Sequence, residues 1–394
     1  MNTLVAIPGR PSGVRPIVEG LPFTRIGQVA AGGLGDPEVI PLWYGESDVP
    51  TPAFICEAAA RALAAGDTFY TFKRGLPELR AAIARYLTRL HARPVTQERV
   101  IVTSAAMSAI MIVMQALIDP GDNAVIVAPV WPNVADAVSV LGGEPRALVL
   151  QPAETGWRLD LNRLEALCDA RTRALFVNSP GNPTGWTMQT SEAMELLAFA
   201  RRRGVWLIAD EVYARLVYDG REAAPSLLDI AEPEDRVVVL NSFSKTWAMT
   251  GWRLGWMVAP PELRAVVDKL VEFNTISAPP FIQRAGIVAL EEGEASVAAM
   301  RELCRRGRDI MVQGLNRFPR LKVASPVGAF YAFLKVDGVS DSLAFAKEIL
   351  ARTKVGVAPG SAFFGGGEGH LRLCFASAPP RLEAALDRLA PVFS

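Results

Sequence analysis

Short apolar runs alternate with longer stretches of helical periodicity through the first two-thirds of the chain. The runs are continuous, without strict polar alternation, and they cover residues 100–103, 124–128, 147–150, 174–177, 205–209 and 237–240. Continuous apolar runs are typical of strands that are buried on both faces, and strands separated by helices favour a parallel sheet. The pattern therefore predicts an α/β fold, with a mostly parallel central sheet and helices on both of its faces.

The pattern changes after about residue 280. A long helical segment reaches about residue 317 and precedes short strand-like pieces over residues 321–324, 330–336, 356–358 and 370–375, then a final helix. We expect a smaller α+β domain built from both chain ends, since 394 residues exceed one ordinary domain. The predicted divisions are residues 1–45 as an N-terminal segment joining the small domain, residues 46–280 as the large domain, and residues 281–394 as the small C-terminal domain.

Composition excludes several classes of function. The 41 basic residues balance 41 acidic ones, which argues against a nucleic-acid or anionic-membrane partner. With only two histidines, a metal site or a Ser-His-Asp triad is poorly supported. The four dispersed cysteines fit buried thiols in a reducing compartment. Since the longest apolar stretch, residues 105–118, fits a buried helix and the N-terminus lacks a secretory pattern, we expect a cytoplasmic protein without a membrane span or a metal.

A lone lysine follows the run at residues 237–240. Lys245 lies among small hydroxyl residues in Asn241-Ser-Phe-Ser-Lys-Thr-Trp-Ala-Met-Thr-Gly-Trp-Arg-Leu-Gly-Trp256, with Arg253 eight positions on. A neutral amine forms an imine with a carbonyl, and the serines and the arginine suit a bound phosphate. Pyridoxal phosphate carries both an aldehyde and a phosphate, so the segment points to that cofactor. A solvated lysine in a turn is the alternative.

Two other predicted strands end in polar residues that suit the same cofactor, at the edge where open α/β sheets hold ligands. Asp210 ends the run at residues 205–209, and a buried carboxylate is costly unless it meets a cation such as a pyridinium nitrogen. The run at residues 174–177 leads into Asn178-Ser-Pro-Gly-Asn-Pro-Thr-Gly185, where Asn182 can donate to a phenolate oxygen. A helix N-cap for Asp210 and an ordinary turn for Asn182 remain open.

The first two predicted strands lead into weaker signals. Ser104-Ala-Ala-Met-Ser-Ala109 opens a helix after residues 100–103, and free N–H groups at a helix start suit a phosphate. Trp131 follows residues 124–128 and can stack on a flat ring, although a tryptophan at a strand end is more often part of the core.

Taken in this order, the motifs resemble those of the class I aminotransferases of the fold-type I pyridoxal-phosphate family. The resemblance covers nearly the whole chain, from Pro41-Leu-Trp-Tyr-Gly-Glu-Ser-Asp48 to Leu371-Arg-Leu373, and its most specific parts are residues 178–185, 209–213 and 242–255. It implies that residues 46–280 bind pyridoxal 5′-phosphate and that the substrates are an amino acid and a 2-oxo acid.

The resemblance also implies roles for individual residues. Lys245 would hold the cofactor as a Schiff base, and Asp210 would pair with its ring nitrogen. Asn182 and Tyr213 would hydrogen-bond the phenolic oxygen and lower the pKa of the imine, while Trp131 would stack on the ring.

The remaining implied contacts lie at the phosphate and at the substrate. The phosphate would be held by a hydroxyl, a guanidinium and two backbone N–H groups, from Ser242, Arg253, Ala105 and Ala106. Arg372 would clamp the substrate α-carboxylate with its two-pronged guanidinium, with help from Asn182 and the backbone of Gly45. The helix start at the phosphate is usually glycine-rich in the family, but alanine still offers its N–H if its φ stays negative.

Two positions bear on the partner and on the substrate. Tyr70 matches a tyrosine that reaches the phosphate of the neighbouring subunit's cofactor, which implies a homodimer with shared active sites. Met107 stands near the place where aspartate-specific relatives carry a lysine for the distal carboxylate, which favours a neutral, apolar or aromatic substrate. Ordinary helix packing is the alternative for Met107, and Lys73 or Arg74 is an alternative cation for an acidic substrate.

We therefore expect an aminotransferase that works by a ping-pong mechanism, with Lys245, Asp210 and Tyr213 in the catalytic roles. An aspartate-type aminotransferase and a pyridoxal-phosphate carbon–sulfur lyase of the same family are the alternatives. A non-catalytic regulator would need an added DNA-binding domain. A nucleotide-binding dehydrogenase would need G-x-G-x-x-G after an early strand, and the sequence lacks it there.

Overall fold

The computed structural model describes residues 13–21, 23–153 and 156–393. Their α-helices are α1 (Pro16–Glu19), α2 (Arg25–Ala30), α3 (Ala53–Ala64), α4 (Pro77–His91), α5 (Ala106–Leu117), α6 (Asn133–Val140), α7 (Leu164–Leu167), α8 (Thr190–Arg203), α9 (Phe243–Thr246), α10 (Pro261–Asn274), α11 (Pro280–Glu292), α12 (Glu294–Leu315), α13 (Ser342–Thr353) and α14 (Pro379–Phe393).

The strands in the same residues are β1 (Ile40–Pro41), β2 (Val100–Thr103), β3 (Asn123–Ala128), β4 (Glu144–Val149), β5 (Gln151–Ala153), β6 (Gly156–Arg158), β7 (Thr172–Asn178), β8 (Trp206–Asp210), β9 (Val237–Ser242), β10 (Gly255–Val258), β11 (Leu321–Val323), β12 (Tyr331–Val336), β13 (Val355–Gly356), β14 (Ala358–Pro359) and β15 (His370–Cys374).

Seven strands form the large sheet, in the order β2-β10-β9-β8-β7-β3-β4. Strand β10 is antiparallel to β2 and β9, and the other neighbours are parallel. Successive residues of a strand face opposite sides of a sheet, so Leu207 and Ala209 of β8 enter one core while Ile208 enters another. Helices α3, α4, α8 and α11 cover the first side, and α5, α6 and α10 cover the second. This arrangement confirms the predicted α/β sheet with helices on both faces.

Strand β10 was not predicted from the sequence, and it fixes the position of the lysine motif. Ser242 at the end of β9 pairs with Gly255 at the start of β10. Residues 243–254 are therefore a connection whose two ends lie side by side in the sheet. A Cβ on Gly255 would come within 2.9 Å of the backbone of Ala105 and Ala106, so only glycine lets β10 pass the start of α5 this closely.

A smaller sheet joins residues from the two ends of the chain. Strands β11, β12, β15 and β14 form an antiparallel sheet in that order, and Ile40 and Pro41 of β1 pair in parallel with β13. Side chains near residues 26–43 share a hydrophobic core with this sheet and with α12 and α14. Helix α11, in contrast, packs in the core of the large sheet. The divisions at residues 45 and 280 remain predictions.

Within the described residues, no helix is both long enough and apolar enough to cross a membrane.

Candidate active site

A cavity of about 270 Å³ opens at the carboxyl ends of the parallel strands, between the two sheets. It brings together all of the predicted site residues except Tyr70: Gly45, Ala105, Ala106, Met107, Trp131, Asn182, Asp210, Tyr213, Ser242, Lys245, Arg253 and Arg372. Strand register explains part of this convergence, because Asn178 at the end of β7 stands opposite Asp210 at the end of β8. Polar residues that are far apart in sequence thus meet at one edge of the sheet.

Lys245 lies in the single turn of α9, and its amine points into this cavity. The Nζ atom donates to the carbonyl oxygen of Gly45 at 2.5 Å, and it lies 5.9 Å from the ring centroids of Tyr213 and Phe330. Desolvation by burial lowers the pKa of Lys245 from 10.5 to about 8. A larger share of the amine is therefore neutral, and so nucleophilic, near neutral pH than for an exposed lysine.

Asp210 is a buried carboxylate without an ionic partner in the described part of the chain. Its Oδ1 accepts a hydrogen bond from the backbone N–H of Val212 at 3.2 Å, so the helix-cap alternative accounts for one weak contact only. Burial raises its pKa to about 6, against the opposing effects of that backbone bond and of Lys245. A carboxylate held in this way would be stabilised by a cation in the cavity.

Arg372 is the converse case, because it carries a buried positive charge: only 2% of the surface of this residue is exposed. One terminal nitrogen donates to Oδ1 of Asn182 at 2.9 Å and the other donates to the carbonyl oxygen of Trp43. Its Nε has no hydrogen-bond partner, and Arg372 forms no salt bridge with any residue in the described ranges. Burying a cation without an anion is costly, so the site is suited to an anionic ligand.

Tyr331, which sequence reasoning missed, lines the same cavity as Lys245 and Arg372. Its hydroxyl is 2.7 Å from the hydroxyl of Tyr213, and its ring centroid is 4.4 Å from Cζ of Arg372. Residues 330–336 had been predicted only as a strand, and a tyrosine in an apolar strand carries no signal of function on its own. Pairing of β12 with β15 brings Tyr331 to the site.

The start of α5 corrects one expectation about the backbone. Ala105, the N-cap residue of α5, has φ 119° and ψ 163°, whereas a negative φ was expected. This region of the Ramachandran map is populated almost only by glycine, and an alanine in it is strained by about 1–3 kcal/mol. The strained residue lies where the free N–H groups of the helix start face the cavity.

Two serines and an arginine complete this end of the cavity. The Ser242 hydroxyl accepts from the Ser244 N–H at 3.1 Å and lies 3.1 Å from the carbonyl oxygen of Leu254. Ser244, which was not among the predicted site residues, also lines the cavity. Arg253 lies exposed at the rim in a left-handed conformation, with φ 55°, and donates to the carbonyl oxygen of Thr250 at 2.6 Å. Together these groups can bind an anion.

Other residues that line the cavity are less polar. Trp131 is held beside the turn of Asn182 by a backbone hydrogen bond, from its N–H to the carbonyl oxygen of Asn182 at 3.1 Å. Met107 lies in the first turn of α5 and lines the same cavity, as do Trp43 and Tyr44. The cationic side chains that line the cavity are those of Lys245, Arg253 and Arg372.

Tyr70 lies outside the cavity of its own chain, and 84% of its surface is exposed. Three further aromatic side chains near it are also exposed: Phe69, Phe72 and Phe273. Lys73 and Arg74 each have an acidic partner, because Lys73 pairs with Glu272 at 2.5 Å and Arg74 pairs with Asp268 at 3.3 Å.

Comparison with known proteins gives a consistent result. The family described as "Aminotransferase class I and II" matches residues 37–389. The aspartate aminotransferase of Thermotoga maritima is 34% identical over 89% of this chain and 90% of its own. An arginine–pyruvate transaminase of Pseudomonas aeruginosa is 35% identical over 90% and 89%. The structure of an aromatic aminotransferase from Pyrococcus horikoshii aligns with a TM-score of 0.85 and 33% identity, over 92% of this chain and 98% of that one.

The strain at Ala105 predicts that Ala105→Gly raises the free energy of unfolding by about 1 kcal/mol. The relief of the strain exceeds the larger entropy loss of glycine on folding. Denaturant unfolding of the protein without added ligand measures the change.

The neighbouring residue provides the matched control. Ala106 opens α5 with an ordinary helical backbone, so Ala106→Gly should lower stability by a few tenths of a kcal/mol up to about 1 kcal/mol. Two glycine variants that change stability in the same direction would contradict the strain at Ala105.

Proposed function

We propose that this chain, which belongs to the class I and II aminotransferases, moves an amino group between an L-amino acid with an apolar or aromatic side chain and a 2-oxo acid. The members of this family are enzymes that depend on pyridoxal 5′-phosphate. The observation that carries the proposal is the pair of uncompensated buried charges, Asp210 and Arg372, in the same cavity as a lysine whose pKa burial lowers to about 8.

The residues of the cavity fit the cofactor. Pyridoxal phosphate combines a ring nitrogen that can carry a proton, a phosphate and an aldehyde. Asp210 supplies an anionic partner for the ring nitrogen, and Lys245 supplies an amine for the aldehyde. The phosphate fits the helix start at Ala105 and Ala106. Because Gly255 has no side chain, β10 can lie close to the backbone of this helix start.

When bound, the cofactor supplies an aldehyde that links to amines and a ring that withdraws electrons from the substrate Cα. Asp210, as an anion, holds a proton on the ring nitrogen and so maintains that electron demand. Asn182 and Tyr213 would donate to the ring oxygen, and Trp131 would cover one face of the ring. The hydroxyls of Ser242 and Ser244, the guanidinium of Arg253 and the N–H groups at the start of α5 would hold the phosphate.

Arg372 positions the substrate. A guanidinium presents parallel N–H donors that match a carboxylate, and here Asn182 and Trp43 already hold two of its nitrogens. The α-carboxylate of an amino acid or a 2-oxo acid would neutralise the buried cation. Because both substrates carry that group, one arginine serves both halves of a ping-pong exchange.

Lys245 acts on the substrate after its amine is displaced. Its amine, neutral above about pH 8, accepts the proton from the substrate Cα and returns it at the neighbouring carbon. The Gly45 carbonyl holds the amine in the site by a hydrogen bond. General bases work best when their pKa lies near the working pH, which is the effect of burial here.

The side chain of the substrate is expected to lie toward Met107. This wall has apolar and aromatic neighbours, and the three cations that line the cavity are already assigned to the cofactor aldehyde, its phosphate and the α-carboxylate. A second substrate carboxylate would therefore have no cation of its own among the described lining residues. An unpaired carboxylate is costly to desolvate, which favours apolar or aromatic donors. The relatives support no single substrate, because their names include aspartate, arginine with pyruvate, and aromatic amino acids.

An aspartate-type aminotransferase is the second candidate, favoured by the aspartate aminotransferases among the relatives. In that case Lys73 or Arg74 of a neighbouring subunit would have to supply the cation for the distal carboxylate. Both side chains already pair with carboxylates in their own chain. A substrate would have to compete with Glu272 or Asp268 for them.

We also propose that the active unit is a homodimer. Phe69, Tyr70, Phe72 and Phe273 are all left exposed by the described residues of their own chain, and exposed aromatic side chains of this kind are typical of interfaces. Covering these side chains with a second copy of the chain would place Tyr70 against the phosphate end of the partner's cavity.

Cofactor attachment tests the role of Lys245. Borohydride reduction should fix pyridoxal phosphate to the peptide that contains Lys245. Because the pKa of the amine is about 8, attachment to the cofactor-free protein should accelerate about tenfold per pH unit below pH 8 and level off above it. Absorbance measured in rapid mixing follows the rate.

An exposed lysine of α10 gives the control, since Lys269→Ala should attach the cofactor normally while Lys245→Ala should not. Label found at another lysine, or a rate that still climbs at pH 10, would show that Lys245 is not the buried nucleophile. Ammonia released from a sulfur amino acid without a 2-oxo acid would favour the carbon–sulfur lyase.

Substrate choice tests the role of Met107. The parent enzyme should prefer aromatic or aliphatic donors to aspartate in kcat/KM. Met107→Lys should shift that ratio toward aspartate by about tenfold to a hundredfold, because a hydrogen bond to a charged group is worth about 1.5–3 kcal/mol. Steady-state assays with 2-oxoglutarate as acceptor measure the ratio.

Met111→Lys, one helical turn further along α5, lies outside the cavity lining and should leave the ratio unchanged. Aspartate as the best donor of the parent enzyme, with the preference lost in Lys73→Ala or Arg74→Ala, would establish the second candidate.

The homodimer predicts complementation between two inactive variants. Tyr70→Ala and Lys245→Ala protomers, dissociated and re-associated together, should form mixed dimers with one intact site. About a quarter of the parent activity should return, because half of the dimers are mixed and half of their sites are intact.

Asp210→Asn mixed with Lys245→Ala is the matched control. Both of these changes fall in the cavity of a single chain, so no mixed dimer would have an intact site and activity should stay low. Equal recovery from both mixtures, or a fully active monomer, would contradict a shared site.

A further inference from the structure

Tyr331 is the first residue of β12 and is completely buried. It pairs with Cys374 across the small sheet, two residues from Arg372 on the neighbouring strand. The small sheet therefore holds Tyr331 and Arg372 side by side, and both line the cavity. The roles proposed for cofactor binding, substrate binding and proton transfer do not include Tyr331.

Its hydroxyl has one hydrogen-bond partner among the described residues, the hydroxyl of Tyr213 at 2.7 Å. A Cβ on Gly45 would collide with the same hydroxyl. Glycine at position 45 therefore gives Tyr331 the room it occupies, and Gly45 is also the residue whose carbonyl accepts from Lys245. Tyr213 and Gly45 thus both lie against the phenol of Tyr331.

The ring of Tyr331 supports Arg372. The guanidinium carbon lies 4.4 Å from the ring centroid, and the ring of Phe363 lies 5.1 Å from it. A cation over an aromatic face gains more when it is desolvated, and this guanidinium is buried with an unpaired Nε. The interaction with the ring partly offsets the free-energy cost of burying this cation when no carboxylate is bound.

Proton counting fixes the direction of the hydrogen bond between the two tyrosines. Each hydroxyl carries one proton and can accept through its lone pairs. Burial raises the pKa of both Tyr213 and Tyr331 above the usual range, so both are neutral phenols. If Tyr213 gives its proton to the ring oxygen of the cofactor, then only the proton of Tyr331 can fill the 2.7 Å contact.

We propose that Tyr331 is a positioning residue for both halves of the site: its hydroxyl donates to Tyr213 and strengthens the bond from Tyr213 to the cofactor, while its ring holds Arg372 in place for the substrate carboxylate. This inference rests on the proposed function. A donor that itself accepts a hydrogen bond is polarised and donates more strongly. When the ring oxygen accepts a stronger hydrogen bond from Tyr213, it stabilises the proton on the lysine–cofactor linkage less. Tyr331 therefore lowers the pKa of that linkage.

The test of the hydroxyl is a pH titration of the visible absorbance of the enzyme with its cofactor bound. Tyr331→Phe keeps the ring and removes the donor, and it should raise the titration midpoint by about half a pH unit. Tyr218→Phe is the matched control, because it also removes a tyrosine hydroxyl, one that donates to the carbonyl oxygen of Ala329 away from the cavity lining. Its midpoint should equal that of the parent.

A double variant shows whether the effect passes through Tyr213. Tyr213→Phe alone should raise the midpoint, and adding Tyr331→Phe to it should raise the midpoint no further. An unchanged midpoint in Tyr331→Phe, an equal shift in Tyr218→Phe, or additive shifts in the double variant would each overturn the proposal for the hydroxyl.

The ring is tested by the binding of 3-phenylpropionate, a carboxylate without an amino group. Its Kd should stay within about twofold in Tyr331→Phe, which keeps the ring, and rise about tenfold in Tyr331→Leu, which loses it. Equal Kd values in the two variants would overturn the role of the ring, and fluorescence or circular dichroism of the folded protein checks that Tyr331→Leu retains its structure.

These outcomes are separable from those that test the proposed function. A protein that does not attach pyridoxal phosphate at Lys245 would refute the proposed function. If the protein attaches the cofactor and transaminates, but substitutions of Tyr331 change neither the titration midpoint nor the Kd for 3-phenylpropionate, only the role of Tyr331 would be refuted.

Discussion

The site depends on charges that the fold buries without neutralising. Asp210 is held at a strand end with a single backbone hydrogen bond, and Arg372 is held in the small sheet with an unpaired Nε. A buried charge destabilises a folded protein unless it finds a partner. The large hydrophobic cores on both sides of the main sheet, and the core of the small sheet, must offset that penalty. Ligands of opposite charge can then bind at the two positions that the protein leaves unsatisfied.

Strand ends explain why much of this arrangement could be predicted from the sequence. Apolar runs located the parallel strands, and the polar residues after them had to converge at the carboxyl edge, as Asn182 and Asp210 do. The antiparallel β10 was missed because four residues, Gly255–Val258, follow a motif that already had an interpretation. Tyr331 was missed because its importance comes from strand pairing in the small sheet, which no local pattern records. The positive φ of Ala105 was not foreseen, since alanine rarely adopts this conformation and no local pattern in the sequence records it.

The family likeness and the geometry act at different levels. The scaffold that positions the lysine, the aspartate and the arginine is shared with relatives whose names carry different substrates. Selection among amino acids must then depend on side chains that touch neither the cofactor nor the α-carboxylate. In this chain the first turn of α5 carries such a side chain, because Met107 lies close to the phosphate end while facing the same cavity. Under the proposed function, one helix start would contribute both to the common chemistry and to discrimination between substrates.

The pairing of Ser242 with Gly255 has a consequence for the way in which this protein unfolds. Residues 243–254 leave and re-enter the large sheet at adjacent positions, and the strands on either side lie in its interior. Regions of this kind open only with the cooperative unit to which they belong. The two ends of the segment that carries Lys245 therefore separate only when the sheet itself opens. Partial denaturation that frays the chain ends would leave Ser242 and Gly255 paired, so their separation would report the opening of the whole large sheet.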